Sequence, residues 1–133
     1  MIFRKAIAVL LTAGTSFSSG VALAHHSFAM FDQERTVEIK GTVKDYQWTQ
    51  PHVWLDVMVM NKQGKLERWG IENQSPAILF ERGWRIQSLK VGDKVTVQLH
   101  PMKDGTNGGV VMRVTLPDGK VLSTNFAERK VLQ

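Results

Sequence analysis

Alternation of apolar and polar side chains along short segments is the feature that most restricts the fold of this chain. In TVEIKGTVKDYQW, apolar residues or glycine occupy every second position from Val37 to Val43. In VWLDVMVM, aliphatic residues recur in the same way from Val53 to Val59. A period of two is typical of strands with one buried face, and turn sequences such as NKQGK and PDGK separate the segments. The pattern therefore predicts a small, mainly antiparallel β-protein.

The apolar phase slips once within the first segment. After Val43 the next apolar positions are Tyr46 and Trp48, so one residue is inserted into the pattern. A β-bulge produces such a slip, and Gly41 would ease the bending of a long strand. We therefore expect a long, bent first strand.

Only the segment SPAILFERG predicts a well-defined helix. Ser75 is a suitable N-cap, and Gly83 suits the C-terminal cap. The helix is short, at about two turns. We expect Ile78, Leu79 and Trp84 to close one end of the sheet.

The predicted order is three strands, a short helix, two strands and a small extra hairpin. This is the order of the five-stranded oligonucleotide/oligosaccharide-binding (OB) barrel. The sequence thus predicts an all-β protein with one short helix, built as a small five-stranded OB-like Greek-key barrel with an additional C-terminal strand. An open antiparallel sandwich is the alternative.

The N-terminal segment differs from the rest of the chain. A basic head, MIFRK, precedes the apolar run AIAVLLTAGTSF, and Ala22-Leu23-Ala24 fits the small-x-small rule of signal peptidase. We predict a cleaved secretory signal and a periplasmic or secreted protein without a transmembrane segment after cleavage; an uncut membrane anchor is the alternative. The predicted divisions are the signal at 1–24, an N-terminal arm at 25–35, the barrel at 36–124 and a tail at 125–133.

Composition narrows the classes of function. The chain has no cysteine, which excludes a disulfide scaffold, thiolate zinc sites and cysteine catalysis. Removal of Arg4 and Lys5 with the signal lowers the formal net charge from +5 to +3, and the remaining lysines are scattered. We therefore predict no nucleic-acid partner. No nucleophile elbow and no paired acid and base are present, so we predict no catalysis.

Two histidines are predicted to lie at loops that border the ligand surface of an OB barrel. His52, in WTQPHVW, falls between the first two strands, and His100, in LHPM, falls where the fourth strand enters a glycine-rich loop. These two connections flank the ligand surface in this class of barrel. We expect the two rings to approach one another, with Asp32 or Glu72 as carboxylate partners. In the alternative interpretation each histidine only stabilises its own loop.

Two further histidines follow the predicted cleavage site. Cleavage after Ala24 would make His25 the terminal residue, whose α-amino nitrogen and ring Nδ1 could chelate one metal ion. Cleavage one residue earlier would give Ala24-His25-His26, which could bind Cu(II) in a square plane of nitrogen ligands. We therefore predict His25, His26, His52 and His100 as metal ligands, with copper as the candidate cofactor. A solvated chain end is the alternative.

A second candidate surface lies on the outer face of the second strand. Trp54 falls opposite the apolar positions of that strand, on the same face as Met58 and Met60. We expect the N-terminal arm to cover this stripe; a docking surface for an envelope protein is the alternative. The candidate residues for contact with a small ligand or protein partner are Trp48, Trp54, Met58, Met60 and Asp104.

A set of motifs occurs in a characteristic order across residues 24–119: AHHSFAMFD, GTV, WTQPHVWL, SPAILFERGW, LKVGDKVTV, HPMKDGTNGG and VTLPDG. In this combination the chain resembles a family of short exported bacterial proteins known only as a domain of unknown function. The central motif of that family usually reads NPH, and Gln50 replaces the asparagine here. The resemblance implies no activity or ligand. It implies that the following residues match the family's pattern: His25, His26, Pro51, His52, Trp54, Glu72, Pro76, Gly83, Trp84, His100, Pro101, Asp104, Gly105, Gly108 and Gly109.

These observations together predict a binding protein without catalysis of its own, whose ligand is a small solute or a copper-type metal ion. The alternative from another class is a structural or interaction module that docks on an envelope partner through the Trp54 surface. An enzyme with a copper centre at a terminal histidine ranks third.

Overall fold

The computed structural model describes residues 28–125. A short 3-10 helix at Phe28–Met30 precedes six strands and one α-helix. The strands are β1 (Val37–Gln47), β2 (Trp54–Met60), β3 (Leu66–Glu72), β4 (Lys94–Pro101), β5 (Gly108–Thr115) and β6 (Val121–Ser123), and α1 (Pro76–Glu81) lies between β3 and β4. Among the described residues, no helix has the length and apolar character that a membrane span requires.

The strands form a closed barrel. The sheet order is β3-β2-β1-β4-β5, and parallel pairing of β3 with β5 closes the ring, while β6 pairs with β5 outside it. This confirms the predicted five-stranded OB-like barrel with an additional C-terminal strand. The alternative of an open sandwich is wrong, because the β3–β5 pairing leaves no free edge on either strand at the point of closure.

The long first strand serves two neighbours. The first half of β1 pairs with β4 and its second half with β2, and Gly41 and Thr42 pair with both. The bulge lies between Val43 and Asp45, where the apolar phase slips in the sequence. Glycine at position 41 allows β1 to approach β2 closely. A Cβ there would overlap the carbonyl oxygen of Met58 and lie 2.6 Å from a methyl carbon of Val57.

The helix contributes to the core through few side chains. Ser75 caps it by accepting a hydrogen bond from the backbone N–H of Ile78. Leu79 and Trp84 are fully buried, and the indole N–H of Trp84 donates to the carbonyl oxygen of Ser123 at 3.0 Å. The predicted burial of Ile78 is wrong, since 37% of that residue is exposed. A helix of six residues directs only one side chain fully into the barrel.

The segment before β1 lies against the end of β4. Phe31 forms an isolated antiparallel bridge with Met102, the backbone N–H of Asp32 donates to the carbonyl of Pro101 at 2.8 Å, and that of Lys103 donates to Met30 at 2.9 Å. These bonds extend β4 by a short paired segment. We call residues 28–33 the arm segment.

Candidate functional site

A single row of paired residues crosses the outer surface of the barrel. Gln47 pairs with Trp54, Trp54 with Glu72, Glu72 with Val110, and Val110 with His100. Paired residues on neighbouring strands project to the same face. Because each strand is about 4.8 Å from the next, the Cα atoms of Glu72 and His100 are about 10 Å apart along the row. The row thus places a tryptophan, a carboxylate and an imidazole on neighbouring parts of one surface.

His52 and Glu72 form an ion pair beside this row. The imidazole Nδ1 of His52 contacts Oε1 of Glu72, and both side chains are largely buried. Burial raises the pKa of the Glu72 carboxyl, and the charge and hydrogen bond of His52 oppose that rise. The sequence named Glu72 as a carboxylate partner, and it holds this role towards His52.

The loop that carries His52 is fixed at several points. The hydroxyl of Thr49 donates to the carbonyl of His52 at 3.1 Å. The neighbouring Val53 donates its N–H to Gln74 and accepts from the N–H of Asn73, at 3.1 and 2.8 Å. These bonds tie the β1–β2 loop to the end of β3. The position of the His52 ring is therefore set by the barrel.

His100 faces a different partner. Its Nδ1 lies 2.7 Å from the carbonyl oxygen of Arg35. A carbonyl only accepts hydrogen bonds, so Nδ1 is the protonated nitrogen and, in a neutral ring, Nε2 carries the lone pair. Nε2 has no hydrogen-bond partner among residues 28–125. His100 is therefore oriented by the backbone, with one ring nitrogen available to a ligand.

A groove of about 240 Å³ lies beside His100. We call it the His100 groove. Both ends of the arm segment border it, as do the segment after β3 and the segment after β6. Its lining residues are Phe28, Gln33, Gln74, His100, Val110, Val111, Met112, Thr124 and Asn125.

A second cavity, of about 190 Å³, lies beside Trp54. We call it the Trp54 cleft. Glycines from β3 and β5 form its floor, and the middle of the arm segment and the β4–β5 loop form its far side. Its lining residues are Met30, Phe31, Trp54, Gly70, Glu72, Met102, Thr106, Asn107, Gly108 and Gly109.

The predicted metal ligands are only partly described. His25 and His26 lie outside the described residues. His52 and His100 lie near the same row, but their rings are bound to different groups, Glu72 and the Arg35 carbonyl. Within the part of the chain that the structure describes, no three His, Asp or Glu side chains are grouped so that they could hold a metal ion.

The predicted contact residues occupy several environments. Trp54 is 42% exposed and Met60 59%, whereas Trp48 packs against the core. Met30 and Phe31 of the arm segment share a cleft with Trp54 but not with Met58 or Met60. Within the described part of the arm, these two residues border the stripe at its Trp54 end, while Met60 at the other end is exposed.

Asp104 is a turn-forming residue. Its Oδ1 accepts hydrogen bonds from the backbone N–H and the hydroxyl of Thr106, at 3.0 and 2.7 Å. These bonds lower the pKa of the Asp104 carboxyl. The exposed carboxylate thus shapes the β4–β5 loop, while Thr106 itself borders the Trp54 cleft.

Sequence reasoning missed Met30 and Met102 as surface residues of a cavity. Met102 follows His-Pro and precedes the glycine-rich loop, and Met30 lies in the AHHSFAMFD motif. Their positions in conspicuous motifs were the available signal. Their meeting depends on the pairing of the arm segment with residues 101–103, which has no periodic pattern in the sequence.

The structure is a small OB-like barrel whose outer surface carries polar and sulfur-containing side chains. The chain belongs to a family of unknown function (DUF6152), whose family model matches residues 14–113. No curated protein matches the chain.

Two solved structures resemble the fold: two crystal forms of the mitochondrial single-stranded DNA binding protein Rim1 from S. cerevisiae. They are 16% and 15% identical to this chain, each with a TM-score of 0.46. Each match covers 62% of this chain, and 94% and 92% of the respective Rim1 chains.

Proposed function

We propose that the protein is an exported, non-catalytic binding module that holds a copper-type metal ion through histidine nitrogens. The observation that carries this proposal is the orientation of His100. Metal-ligating histidines generally donate their second ring N–H to a carboxylate or a backbone carbonyl, which fixes the tautomer and directs the other nitrogen to the ion. His100 has such a bond to Arg35, and its ring borders an open groove.

The remaining ligands of the proposed site are His25 and His26. Phe28 borders the His100 groove, and His26 precedes it by two residues. Two Cα–Cα steps of about 3.8 Å keep the Cα of His26 within about 7.6 Å of the Cα of Phe28. Both histidines are thus within covalent reach of the groove. Imidazole and backbone nitrogens suit Cu(II) or Ni(II) in tetragonal geometry.

His52 has the smallest role in this proposal. It is bound to Glu72, whose Cα is about 10 Å from that of His100 along the row. We leave His52 out of the ligand set because its ring Nδ1 is already in contact with the carboxylate of Glu72. The proposed ligands are therefore His25, His26 and His100. His52 lies outside this set and serves as the control position for His100.

The export step is tested first, because it creates the proposed terminus. Protein expressed from the full-length sequence and recovered from the periplasm should begin at His25 or Ala24 when its N-terminus is determined by mass spectrometry. An uncut chain would overturn the predicted signal cleavage, and a chain cut beyond His26 would remove the proposed terminal ligand.

The processed protein is then titrated with Cu(II), followed by calorimetry and by electron paramagnetic resonance. We expect His100→Ala to weaken binding about tenfold or more, equivalent to about 1.4 kcal/mol, and to alter the nitrogen hyperfine pattern. His52→Ala should stay within about twofold of wild type. Equal affinity and equal spectra in wild type and His100→Ala would overturn the proposal, since a flexible terminal chelate needs no barrel residue.

A second candidate function is docking on an envelope protein through the outer face of β2, which carries Trp54, Met58 and Met60. It is favoured by the exposure of Met60 and of its pairing partner Leu66 on β3. They border a surface depression of about 780 Å³ flanked by Lys40 and Lys94, which suits an extended segment with apolar and acidic side chains. This candidate replaces the first if Cu(II) does not bind and an acidic, apolar peptide binds wild type but not Met60→Ala.

A further inference from the structure

The Trp54 cleft has an unusual shape for the outer face of a sheet. Two residues before Glu72 on β3 lies Gly70, and its pairing partner on β5 is Gly108. Neither has a side chain, so the indole of Trp54 stands beside an open floor. The floor is glycine for a structural reason, since a Cβ on Gly108 would lie 2.7 Å from the carbonyl oxygen of Gly70.

Two methionines border this floor opposite Trp54. The Cγ of Met102 lies 3.5 Å from the point that a Cβ on Gly108 would occupy, so the Met102 side chain extends over the floor. Met30 belongs to the arm segment, where its carbonyl accepts the N–H of Lys103. Both methionines line the same cleft as Trp54, and Met30 is exposed to solvent.

The donor types in this cleft select one class of ion. Thioether sulfur is a soft ligand that suits Cu(I) rather than harder divalent ions. The face of an indole attracts a cation. The carboxylate of Glu72 also lines the cleft, but it is paired with His52 and offers none of the nitrogen ligands that Cu(II) prefers.

We propose that the Trp54 cleft is a second metal site, which binds a soft monovalent cation, Cu(I) or Ag(I). The thioethers of Met30 and Met102 are the ligands, and the indole of Trp54 covers the ion. The site uses none of the histidines of the proposed Cu(II) site. It therefore stands or fails independently of that site.

Ag(I) is the test ion, because it does not change oxidation state and can be titrated as silver nitrate in chloride-free buffer. Trp54 is the most exposed of the four tryptophans, and only Trp54 borders the cleft. We expect Ag(I) to quench tryptophan fluorescence and to release heat in calorimetry at one equivalent. Trp54→Phe should remove most of the fluorescence change.

Methionine variants test the ligands directly. Met30→Leu and Met102→Leu preserve side-chain volume, so each should fold normally, weaken Ag(I) binding about tenfold and abolish it when combined. Met58→Leu and Met60→Leu are the matched controls, since these methionines lie on the outer face of β2 outside the cleft, and they should bind as wild type does.

Two results would overturn this inference. One is unchanged Ag(I) affinity in the double variant of Met30 and Met102. The other is loss of Ag(I) binding in a variant lacking His25, His26 and His100, which would place the ion at the histidines. Conversely, failure of Cu(II) binding alone would leave the methionine site intact.

Discussion

The His100 groove and the Trp54 cleft share the arm segment but differ in the donors that they offer. Phe28 and Gln33 border the groove, whereas Met30 and Phe31 border the cleft. The groove offers an imidazole and side-chain amides, and the cleft offers thioethers, an indole and a carboxylate. A short segment paired with the end of β4 thus contributes to two cavities of different chemistry. The barrel supplies rigid strand positions, and the added segment and loops supply much of the chemical variety.

Phe31→Ala would affect both cavities at once. Phe31 is only 3% exposed and forms the bridge to Met102. Removal of a buried phenyl ring costs about 3–5 kcal/mol in a protein core, and we expect about 3 kcal/mol in urea unfolding. Cu(II) and Ag(I) binding should both weaken, because the arm segment would lose its main apolar anchor.

Phe28→Ala is the matched control for this substitution. Phe28 belongs to the same segment but is 38% exposed, so its loss should cost about 1 kcal/mol or less. If Phe31→Ala unfolds at the same urea concentration as wild type and keeps both affinities, the arm segment does not position either cavity.

The fold was predictable from the sequence because strands with one buried face have apolar residues at every second position. The phase slip after Val43 marked the bulge, and the N-cap and glycine marked the helix ends. Ile78 was misplaced because it and Leu79 are adjacent apolar residues on a helix of six residues, where only tertiary contacts decide which one faces the core.

The candidate site was less predictable. Its histidines were identified by type and by loop position, but the binding of His52 to Glu72 depends on the register of β2 with β3. A local sequence pattern does not specify the register between two strands. The position of the arm segment depends on the isolated bridge between Phe31 and Met102. No periodic pattern in the sequence predicts that bridge.

Substitutions at the glycine floor should separate the cleft from the groove. The Cβ of Gly108→Ala would meet the carbonyl of Gly70 at 2.7 Å, whereas that of Gly70→Ala would lie 3.6 Å from Asp56, an ordinary contact. We expect Gly108→Ala to lose about 1–3 kcal/mol of stability and Gly70→Ala to lose little. Both should weaken Ag(I) binding and leave Cu(II) binding unchanged. Equal Ag(I) affinity in Gly70→Ala and wild type would show that the ion does not occupy the cleft.

The smallest expected effect concerns Glu72, which borders the cleft but not the groove. Burial raises the pKa of its carboxyl above the ordinary value of about 4.3. A carboxyl with a higher pKa in the folded protein contributes stability that is fully present below the unfolded pKa and is lost as the pH rises through the folded one. The free energy of unfolding of wild type, relative to Glu72→Gln, should therefore decrease as the pH rises from about 4.

Urea unfolding of both proteins across this pH range measures that difference, and His52→Ala provides the cross-check. Because His52 opposes the rise in the pKa of Glu72, its removal should enlarge the pH dependence, and adding Glu72→Gln to His52→Ala should abolish it. A difference that grows with pH would mean instead that the ion pair with His52 outweighs the cost of burying the carboxylate. Glu72 would then favour folding in its charged form, with that charge offset by His52 rather than directed to a cation in the cleft.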